Sequence, residues 1–384
     1  MKRRLVVLSE IIAPYRIPVF NALAGEASID LHVIFLARTD PALRQWRIYQ
    51  DEIRFSYEVL PSWRRRVGEI SVLLNWGLTQ ALQRARPDTV LCGGYNHPAF
   101  WKAAWWARRN KVPLMVWVES TARDRRGQRS WVESLKTRFL RRCDAFVVAG
   151  QSSSEYLKTY RISGDAIFSA PNAVDTEFFA WQSEEARANA ARYRQELGLP
   201  LRYFLFAGRL IAQKGVFELL AAYASLDPQA RQGIALVFAG DGPQREKLTQ
   251  QATRIQPGCI QFAGFLQREK LAVYYTLAEA LVFPTLSDPW GLVVNEAMAC
   301  GLPVILSDAA GCASDLVQHG WNGCLVPAGD VQRLAAAMDG LVRSTSLIDQ
   351  MREHSRLRVR DYSPGHCAAG IARAALSLAG GPCP

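Results

Sequence analysis

The chain has 384 residues, of which 49% are hydrophobic and 21% are charged. This is the composition of a globular protein, which excludes an intrinsically disordered chain, and the length suits two domains of roughly 150 to 200 residues. Its eight cysteines form no C-x-x-C pair and its five histidines show no ligand spacing, which argues against a disulfide framework and against a zinc site.

The net charge of +11 belongs almost entirely to the first half of the chain. Residues 1–180 hold 27 Lys and Arg against 17 Asp and Glu, a net of +10, together with eight of the eleven tryptophans. Tryptophans and basic residues cluster at 62–66, 105–109 and 123–131. Such clusters suit an anionic membrane surface, where each basic side chain contributes on the order of 1 kcal/mol. They equally suit core tryptophans with a solvated basic rim, and no motif indicates nucleic-acid binding.

The amino terminus and the hydropathy of the chain bear on location. The start, M-K-R-R-L-V-V-L-S-E, has only four apolar residues before Ser9 and Glu10 interrupt them, too few for a signal peptide. No stretch approaches the roughly 20 apolar residues of a membrane-spanning helix. We therefore predict a cytoplasmic protein whose membrane contact would be peripheral, at the inner face.

Short apolar runs alternate with helix-like segments from one end of the chain to the other. Continuous runs of this kind predict parallel strands that are buried on both faces. We expect two doubly wound α/β domains, Rossmann-like, with a ligand at the carboxyl ends of the strands between them. The predicted strands are 5–8, 31–36, 55–60, 89–92, 114–118, 145–148, 166–169, 203–207, 235–239, 260–263, 280–283 and 303–306.

The domain boundary is predicted near the segment P-N-A-V-D-T-E-F-F at 171–179. A polar, alanine-rich helix from about Glu184 to Leu197 follows it and ends at Gly198. We accordingly assign residues 1–178 to an N-terminal domain and 179–363 to a C-terminal domain. Residues 364–384 are predicted to form a helix that crosses back to the N-terminal domain.

The segment at 287–305, S-D-P-W-G-L-V-V-N-E-A-M-A-C-G-L-P-V-I, has the signals of a short helix. Asp288 can cap it, Pro289 fits the first helical position, and Gly301 fits the left-handed stop. The amides at such a helix start favour a phosphate.

Leu292 and Glu296 lie four residues apart, so they share a helix face. Glu296 thus places a carboxylate about one turn from the helix start, where it suits ribose hydroxyls. Together these features suggest a nucleoside diphosphate. The alternative is that Asp288 is only a cap and Glu296 only a solvated helix residue.

The segment F-A-G-R-L-I-A-Q-K-G at 206–215 follows a predicted strand. Arg209 and Lys214 lie in the connection after that strand, where flexible cations can reach phosphate oxygens. A second glycine turn, F-A-G-D-G-P, follows at 238–243, and neither turn matches the Rossmann fingerprint or the P-loop.

The second half of the chain, in the order and spacing of its motifs, resembles the family-four retaining glycosyltransferases of GT-B fold. The first half resembles them more loosely, at N-H-P 96–98 and P-N-A-V-D 171–175. The second-half motifs are the runs at 206–215 and 238–243, F-A-G-F at 262–265, and F-P-T-L-S-D-P-W-G-L-V-V-N-E-A-M-A-C-G-L-P-V-I at 283–305.

The resemblance implies two Rossmann-like domains facing a cleft, with a nucleotide-sugar donor on the second and the acceptor on the first. It places Asp288 at the first acid position of the E-x7-E motif, where relatives more often have Glu, and His97 near the reacting sugar. The donor-binding residues it implies are Arg209, Lys214, Gly291 and Leu292 at the diphosphate, Glu296 at the ribose, and Phe265 and Leu266 at the base.

Two loops of the first half depart from the pattern of the family. The loop S-E-I-I-A-P-Y-R at 9–16 lacks the paired glycines of many relatives, and W-V-E-S at 117–120 has Glu119 where many have histidine. Both loops would face the acceptor. We therefore name Arg16 and Glu119 as acceptor-side candidates.

The chemistry implied by the resemblance needs neither a metal nor a cofactor. No D-x-D pair is present to hold magnesium, whereas two cations and a helix start can stabilise a leaving UDP or GDP. The basic, aromatic first half favours a lipid-linked saccharide or a cell-surface polysaccharide precursor as acceptor. Two alternatives stay open: a nucleotide-sugar epimerase of the same fold, and a non-catalytic membrane-surface protein with a vestigial donor site.

Overall fold

The computed structural model describes residues 2–40, 45–67, 70–122, 130–255 and 258–378. These form two compact units. The second unit is Asp175–Ser363, and the first combines the residues before it with the helix that begins at Pro364.

The first unit is built on a seven-stranded parallel sheet in the order β3-β2-β1-β6-β7-β8-β9. All seven predicted strands of this half are present. The elements are β1 Arg3–Ser9, α1 Ile17–Gly25, β2 Ile29–Phe35, β3 Ser56–Val59, β4 Ser62–Val67, β5 Ile70–Asn75, α2 Leu78–Ala85, β6 Thr89–Cys92, α3 Pro98–Arg109, β7 Leu114–Val118, α4 Ser130–Leu140, β8 Ala145–Val148, α5 Gln151–Thr159 and β9 Ile167–Ser169.

The sheet is buried on both faces, which is why its strands are continuous apolar runs. Residues Leu5–Leu8 of β1, for example, are at most 1% exposed whichever face they point to. Strand order reverses at β1, because β2 pairs on one side of it and β6 on the other. The loops after β1 and β6 therefore separate at this point, where doubly wound sheets bind ligands.

Strands β4 and β5 form an antiparallel ribbon that the sequence did not predict. The reason is the arginine run at 64–66, which hides the alternation of a strand. Leu73 of β5 is fully buried, whereas Trp63 and its cross-strand partner Leu74 are 46% and 39% exposed. One face of the ribbon thus packs on the unit and the other is open.

The second unit is built on a six-stranded parallel sheet in the order β12-β11-β10-β13-β14-β15. Five of its strands were predicted, and the short edge strand β15 was not. The elements are α6 Thr176–Ala188, α7 Ala190–Leu197, β10 Tyr203–Ala207, α8 Val216–Ala224, α9 Pro228–Gln232, β11 Ala235–Ala239, α10 Arg245–Ala252, β12 Ile260–Gly264, α11 Arg268–Leu277, β13 Ala280–Phe283, α12 Leu292–Ala299, β14 Val304–Ser307, α13 Ala313–Leu316, β15 Gly323–Val326, α14 Val331–Arg343 and α15 Thr345–Val359.

A last helix, α16 Pro364–Ser377, packs on α1 and β9 of the first unit. Arg3 of β1 donates to the carbonyl of Leu378 at 2.9 Å. The helix backbone lies so close to the sheet that a Cβ on Gly370 would be 2.2 Å from the oxygen of Ser169.

Two helix starts were predicted wrongly. The helix expected from about Glu184 begins at Thr176, where the side chain of Asp175 accepts from the Phe178 amide at 3.0 Å. It breaks at Asn189 before α7 continues to Leu197.

The second error concerns the start of α12, which is Leu292 and not Pro289. Gly291 precedes it with φ of +100°, so the chain turns into the helix only there. Asp288 is instead bridged to Ala310, and its carbonyl accepts from the Gly311 amide at 2.9 Å. This pairing keeps Asp288 and Pro289 in a loop. The predicted stop is correct: Gly301 has φ of +72°.

Candidate functional site

The loops that carry the residues predicted to bind the diphosphate meet at the switch point of the second sheet. Strand β10 lies between β11 and β13, so the loops after β10 and β13 open side by side. The carbonyl of Gln213 accepts from the Leu286 amide at 2.8 Å and from the Thr285 hydroxyl at 3.0 Å. Ser307, the last residue of β14, donates to the carbonyl of Thr285. Three loops are thereby fixed together.

Lys214 and Asp288 form an ion pair across these loops. Their side chains are only 18% and 14% exposed, so the pair is largely shielded from solvent. The other carboxylate oxygen of Asp288 accepts from the Trp290 amide at 3.0 Å. Asp288 is thus oriented by one cation and one amide. An anion that binds Lys214 would either share this cation with Asp288 or displace the Asp288 carboxylate from it.

Arg209 lies in the same connection, directly after β10 and Gly208. Its side chain is exposed. It has no ion-pair partner among the residues that the structure describes. A free guanidinium at the open end of a parallel sheet can bind phosphate oxygens in bidentate fashion.

Glu296 lies one turn into α12, after Leu292 and Gly291 at the helix start. It is half-buried, and its Oε2 accepts from the Tyr275 hydroxyl at 2.8 Å. Burial raises the pKa of Glu296 to about 7, against the hydrogen bond from Tyr275, which lowers it. Tyr275, on α11, is fully buried, and no sequence signal pointed to it.

Phe265 and Leu266 follow β12, the edge strand of this sheet. Phe265 is 40% exposed, whereas Leu266 is half-buried. Strand β11 separates β12 from β10, so these residues stand two strands away from the loop of Arg209 and Lys214.

His97 lies in the first unit, directly before α3, and is only 4% exposed. Its Nε2 is 3.3 Å from Oε2 of Glu10, a residue that follows β1. The other carboxylate oxygen of Glu10 is 3.3 Å from Arg64 of the β4–β5 ribbon, and Arg64 also pairs with Asp40. Sequence reasoning missed Glu10 and Arg64 as site residues, since both were read only as parts of a loop and of a basic run.

Burial acts to raise the pKa of Glu10, but hydrogen bonds and charge from His97 and Arg64 outweigh it, so the pKa is lowered. The carboxylate of Glu10 therefore stays ionised at neutral pH. It can accept hydrogen bonds there, but its lowered pKa makes it a weak base.

The two acceptor-side candidates are in contact. Arg16 and Glu119 form an ion pair, and the guanidinium of Arg16 lies 3.8 Å from the ring centroid of Trp117. Arg16 follows β1 and Glu119 follows β7, so both lie at the same end of the sheet. Glu119 thus neutralises the positive charge of Arg16.

Neither a metal-binding cluster nor a membrane-spanning helix is found among the described residues. Within them, no three His, Cys, Asp or Glu side chains come together as a metal-binding group. Over the same residues, no helix combines the length and apolarity needed to cross a bilayer.

Two family models match the chain, one for each half. The model described as Glycosyltransferase Family 4 matches residues 21–178, and the model described as Glycosyl transferases group 1 matches residues 190–358. The chain belongs to the family-four glycosyltransferases. This confirms the resemblance that the motifs of the second half suggested.

Curated relatives of the protein share about a quarter to a third of the aligned residues. A D-inositol 3-phosphate glycosyltransferase of Corynebacterium jeikeium is 31% identical over 227 residues, 57% of this chain and 51% of the relative. An alpha-D-kanosaminyltransferase of Streptomyces kanamyceticus is 30% identical over 50% of this chain and 51% of the relative. The chain thus spans about half the length of these relatives.

Solved structures show the fold over nearly the whole chain. HepE of Anabaena, in complex with UDP, superposes with a TM-score of 0.77 at 19% identity, covering 98% of this chain and 100% of HepE. A sucrose-phosphate synthase of Thermosynechococcus elongatus gives 0.72 at 20% identity, covering 98% and 99%. Together with the two parallel-sheet units, these confirm the predicted GT-B fold.

Proposed function

We propose that the protein is a retaining glycosyltransferase that moves a sugar from a nucleoside-diphosphate sugar to a saccharide acceptor. The observation that carries the proposal is the meeting of the β10, β13 and β14 loops in the second unit. That meeting brings Lys214 against Asp288, beside the exposed Arg209. HepE has been solved with UDP and with UDP-glucose, so we propose a uridine donor as the first to test.

In the proposed donor site, different residues bind the diphosphate, the ribose and the base. Arg209, Lys214 and the amides at Gly291 and Leu292 supply positive charge to the diphosphate. The Glu296 carboxylate accepts from ribose hydroxyls once it is ionised. The main chain at Phe265 and Leu266 meets the base.

Transfer depends on stabilising the charge that develops on the leaving diphosphate. Positively charged groups that are already fixed in place do this without reorganisation. In the proposed reaction the acceptor attacks the face from which the diphosphate leaves, and a diphosphate oxygen takes the acceptor's proton. Asp288 positions the sugar, and no metal or cofactor is proposed.

We propose a lipid-linked saccharide or polysaccharide precursor as acceptor, met at the inner face of an anionic membrane. The outer side of the β4–β5 ribbon supports this, because Trp63, Leu74 and the nearby Trp76 are 46%, 39% and 55% exposed. Beside them, a groove of ≈ 250 Å³ is lined by Leu74, Trp76 and Lys102, among others. In the cluster at 105–109, Trp105 is 59% exposed but Trp106 is buried. Most of the cluster at 123–131 lies outside the described residues.

Membrane binding is tested by flotation with vesicles of anionic and of neutral lipid at low salt. Replacing Trp63 and Trp76 by alanine should release the protein from anionic vesicles. Trp181 of the second unit is 62% exposed and supplies the matched control. Equal flotation of the Trp63/Trp76 variant and the wild type would contradict membrane binding by the ribbon.

Glycosyl transfer is tested by nucleotide release from the donor, with and without a membrane lipid extract as acceptor. The proposal predicts release that depends on the extract. An epimerase would instead change the donor sugar with no extract present. A protein with a vestigial site would neither bind nor consume the donor, and that result would overturn the proposal.

A further inference from the structure

The switch point of the first sheet carries a carboxylate that the donor chemistry leaves without a role. Glu10 follows β1 directly, and His97 follows β6, its neighbour in the sheet. The crevice between these two loops is where a doubly wound sheet places a ligand. The first unit therefore has its own binding position, built on its own strands.

Glu10 is the accessible member of the group of side chains at this position. Its side chain is 38% exposed, against 18% for Arg64 and 4% for His97. The Nδ1 atom of His97 is buried and has no hydrogen-bond partner among the described residues, so only Nε2 is engaged, and it faces Glu10. A ligand that enters the crevice meets the carboxylate before it meets the imidazole.

The contacts of Glu10 fix its orientation and leave acceptor capacity. One oxygen lies against His97 and the other against Arg64, each at 3.3 Å. Arg64 is in turn held by Asp40, which is 5% exposed. A carboxylate has about four lone-pair positions, so the two contacts, with His97 and Arg64, leave room for a donor from a ligand.

The charge at this position selects the class of ligand. An ionised carboxylate repels a phosphate or diphosphate and accepts well from a neutral hydroxyl. The loop after β1 thus presents a group suited to a sugar hydroxyl.

We propose that Glu10 binds a hydroxyl of the saccharide acceptor, and that His97 and Arg64 are positioning residues that hold its carboxylate. This inference rests on the proposed function, because it needs a saccharide acceptor on the first unit. It reassigns His97 from direct contact with the sugar to support of Glu10.

The test is the exchange Glu10→Gln, which keeps the shape and removes the charge. With the membrane lipid extract as acceptor, the amount needed for half-saturation should rise by about 10- to 100-fold, the range for a hydrogen bond to a charged group. Half-saturation by the donor and the thermal shift with nucleotide should not change.

Glu58→Gln is the matched control. Glu58 of β3 contacts a histidine and an arginine in the same way, His32 at 3.4 Å and Arg84 at 2.8 Å, but lies within the edge strand. It should behave as wild type. If Glu10→Gln unfolds, Glu10→Asp keeps the charge but withdraws it by one methylene, and it should also raise half-saturation by the acceptor.

The outcomes separate this inference from the proposed function. A wild type that binds no nucleotide and releases none refutes the proposed function. An active wild type with acceptor half-saturation within twofold in both Glu10 variants overturns the inference alone. So does a parallel rise for donor and acceptor, which would show a general disturbance of the site.

Discussion

If Glu296 binds the donor as proposed, its pKa should make donor binding depend on pH in the neutral range. Burial raises that pKa from the ordinary 4.5 to about 7. In the proposed site, ribose hydroxyls donate to the ionised Glu296 carboxylate, and only about a tenth of Glu296 is ionised at pH 6 against about nine tenths at pH 8. The apparent affinity for a donor should therefore rise about tenfold between these values, close to 1.4 kcal/mol.

The raised pKa of Glu296 also lowers the folding stability of the unliganded protein as pH rises. The folded state holds the Glu296 proton more tightly than the unfolded state, so its stability falls as pH rises from 4.5 to about 7. A shift of this size corresponds to at most about 3 kcal/mol. Glu296→Gln should therefore make the unliganded protein more stable at pH 8, while it weakens donor binding.

Calorimetric titration with a nucleoside-diphosphate sugar is the assay, because its diphosphate diester does not titrate in this range. Wild type should show an affinity profile with a midpoint near pH 7, and Glu296→Gln a flat one. Glu279→Gln is the control, since Glu279 is a 19%-exposed carboxylate of the same unit held by Arg202. A flat profile in wild type, or the same slope in Glu296→Gln, would refute the reasoning.

Further predictions concern the partners of the donor site. Tyr275→Phe removes a hydrogen bond that lowers the pKa of Glu296, so the midpoint of the same affinity profile should move above pH 7; an unmoved midpoint would count against that contact. Lys214→Ala should weaken nucleotide binding in calorimetry by about 1.5 to 3 kcal/mol, and Lys214→Arg much less. Asp288→Ala should lower kcat more than donor affinity in steady-state kinetics, and equal kinetics with wild type would exclude a role at the sugar. Gly311→Ala should lower Tm and abolish the nucleotide-induced shift, because its Cβ would lie 1.8 Å from the carbonyl oxygen of Pro289.

The sheets were predictable because a strand that is buried on both faces is a continuous apolar run, which can be recognised in the sequence without knowing its neighbours. Tyr203–Ala207, Ala235–Ala239 and Ala280–Phe283 have the same bounds in the structure as in the sequence prediction. The β4–β5 ribbon was not predictable, because its Arg64 is held by Glu10 and Asp40, which are distant in sequence.

Only the site residues that lie within the sequence motifs were predictable. The start of α12 was missed because it depends on the pairing of Asp288 with Ala310 in another loop. The contact of Tyr275 with Glu296 joins two helices and has no local signature. Side chains that support a site from a neighbouring element are set by tertiary packing, and short-range patterns do not record them.

The central claim is that the second unit binds a nucleoside diphosphate, and a thermal-shift series with UDP, GDP, ADP and dTDP tests it most directly. A ligand at about 100 times its Kd should stabilise the fold by roughly 2.7 kcal/mol. The account predicts a clear rise in Tm with one nucleotide, much smaller in Lys214→Ala and unchanged in Glu58→Gln. No shift with any of the four, or an equal shift in Lys214→Ala, would contradict it.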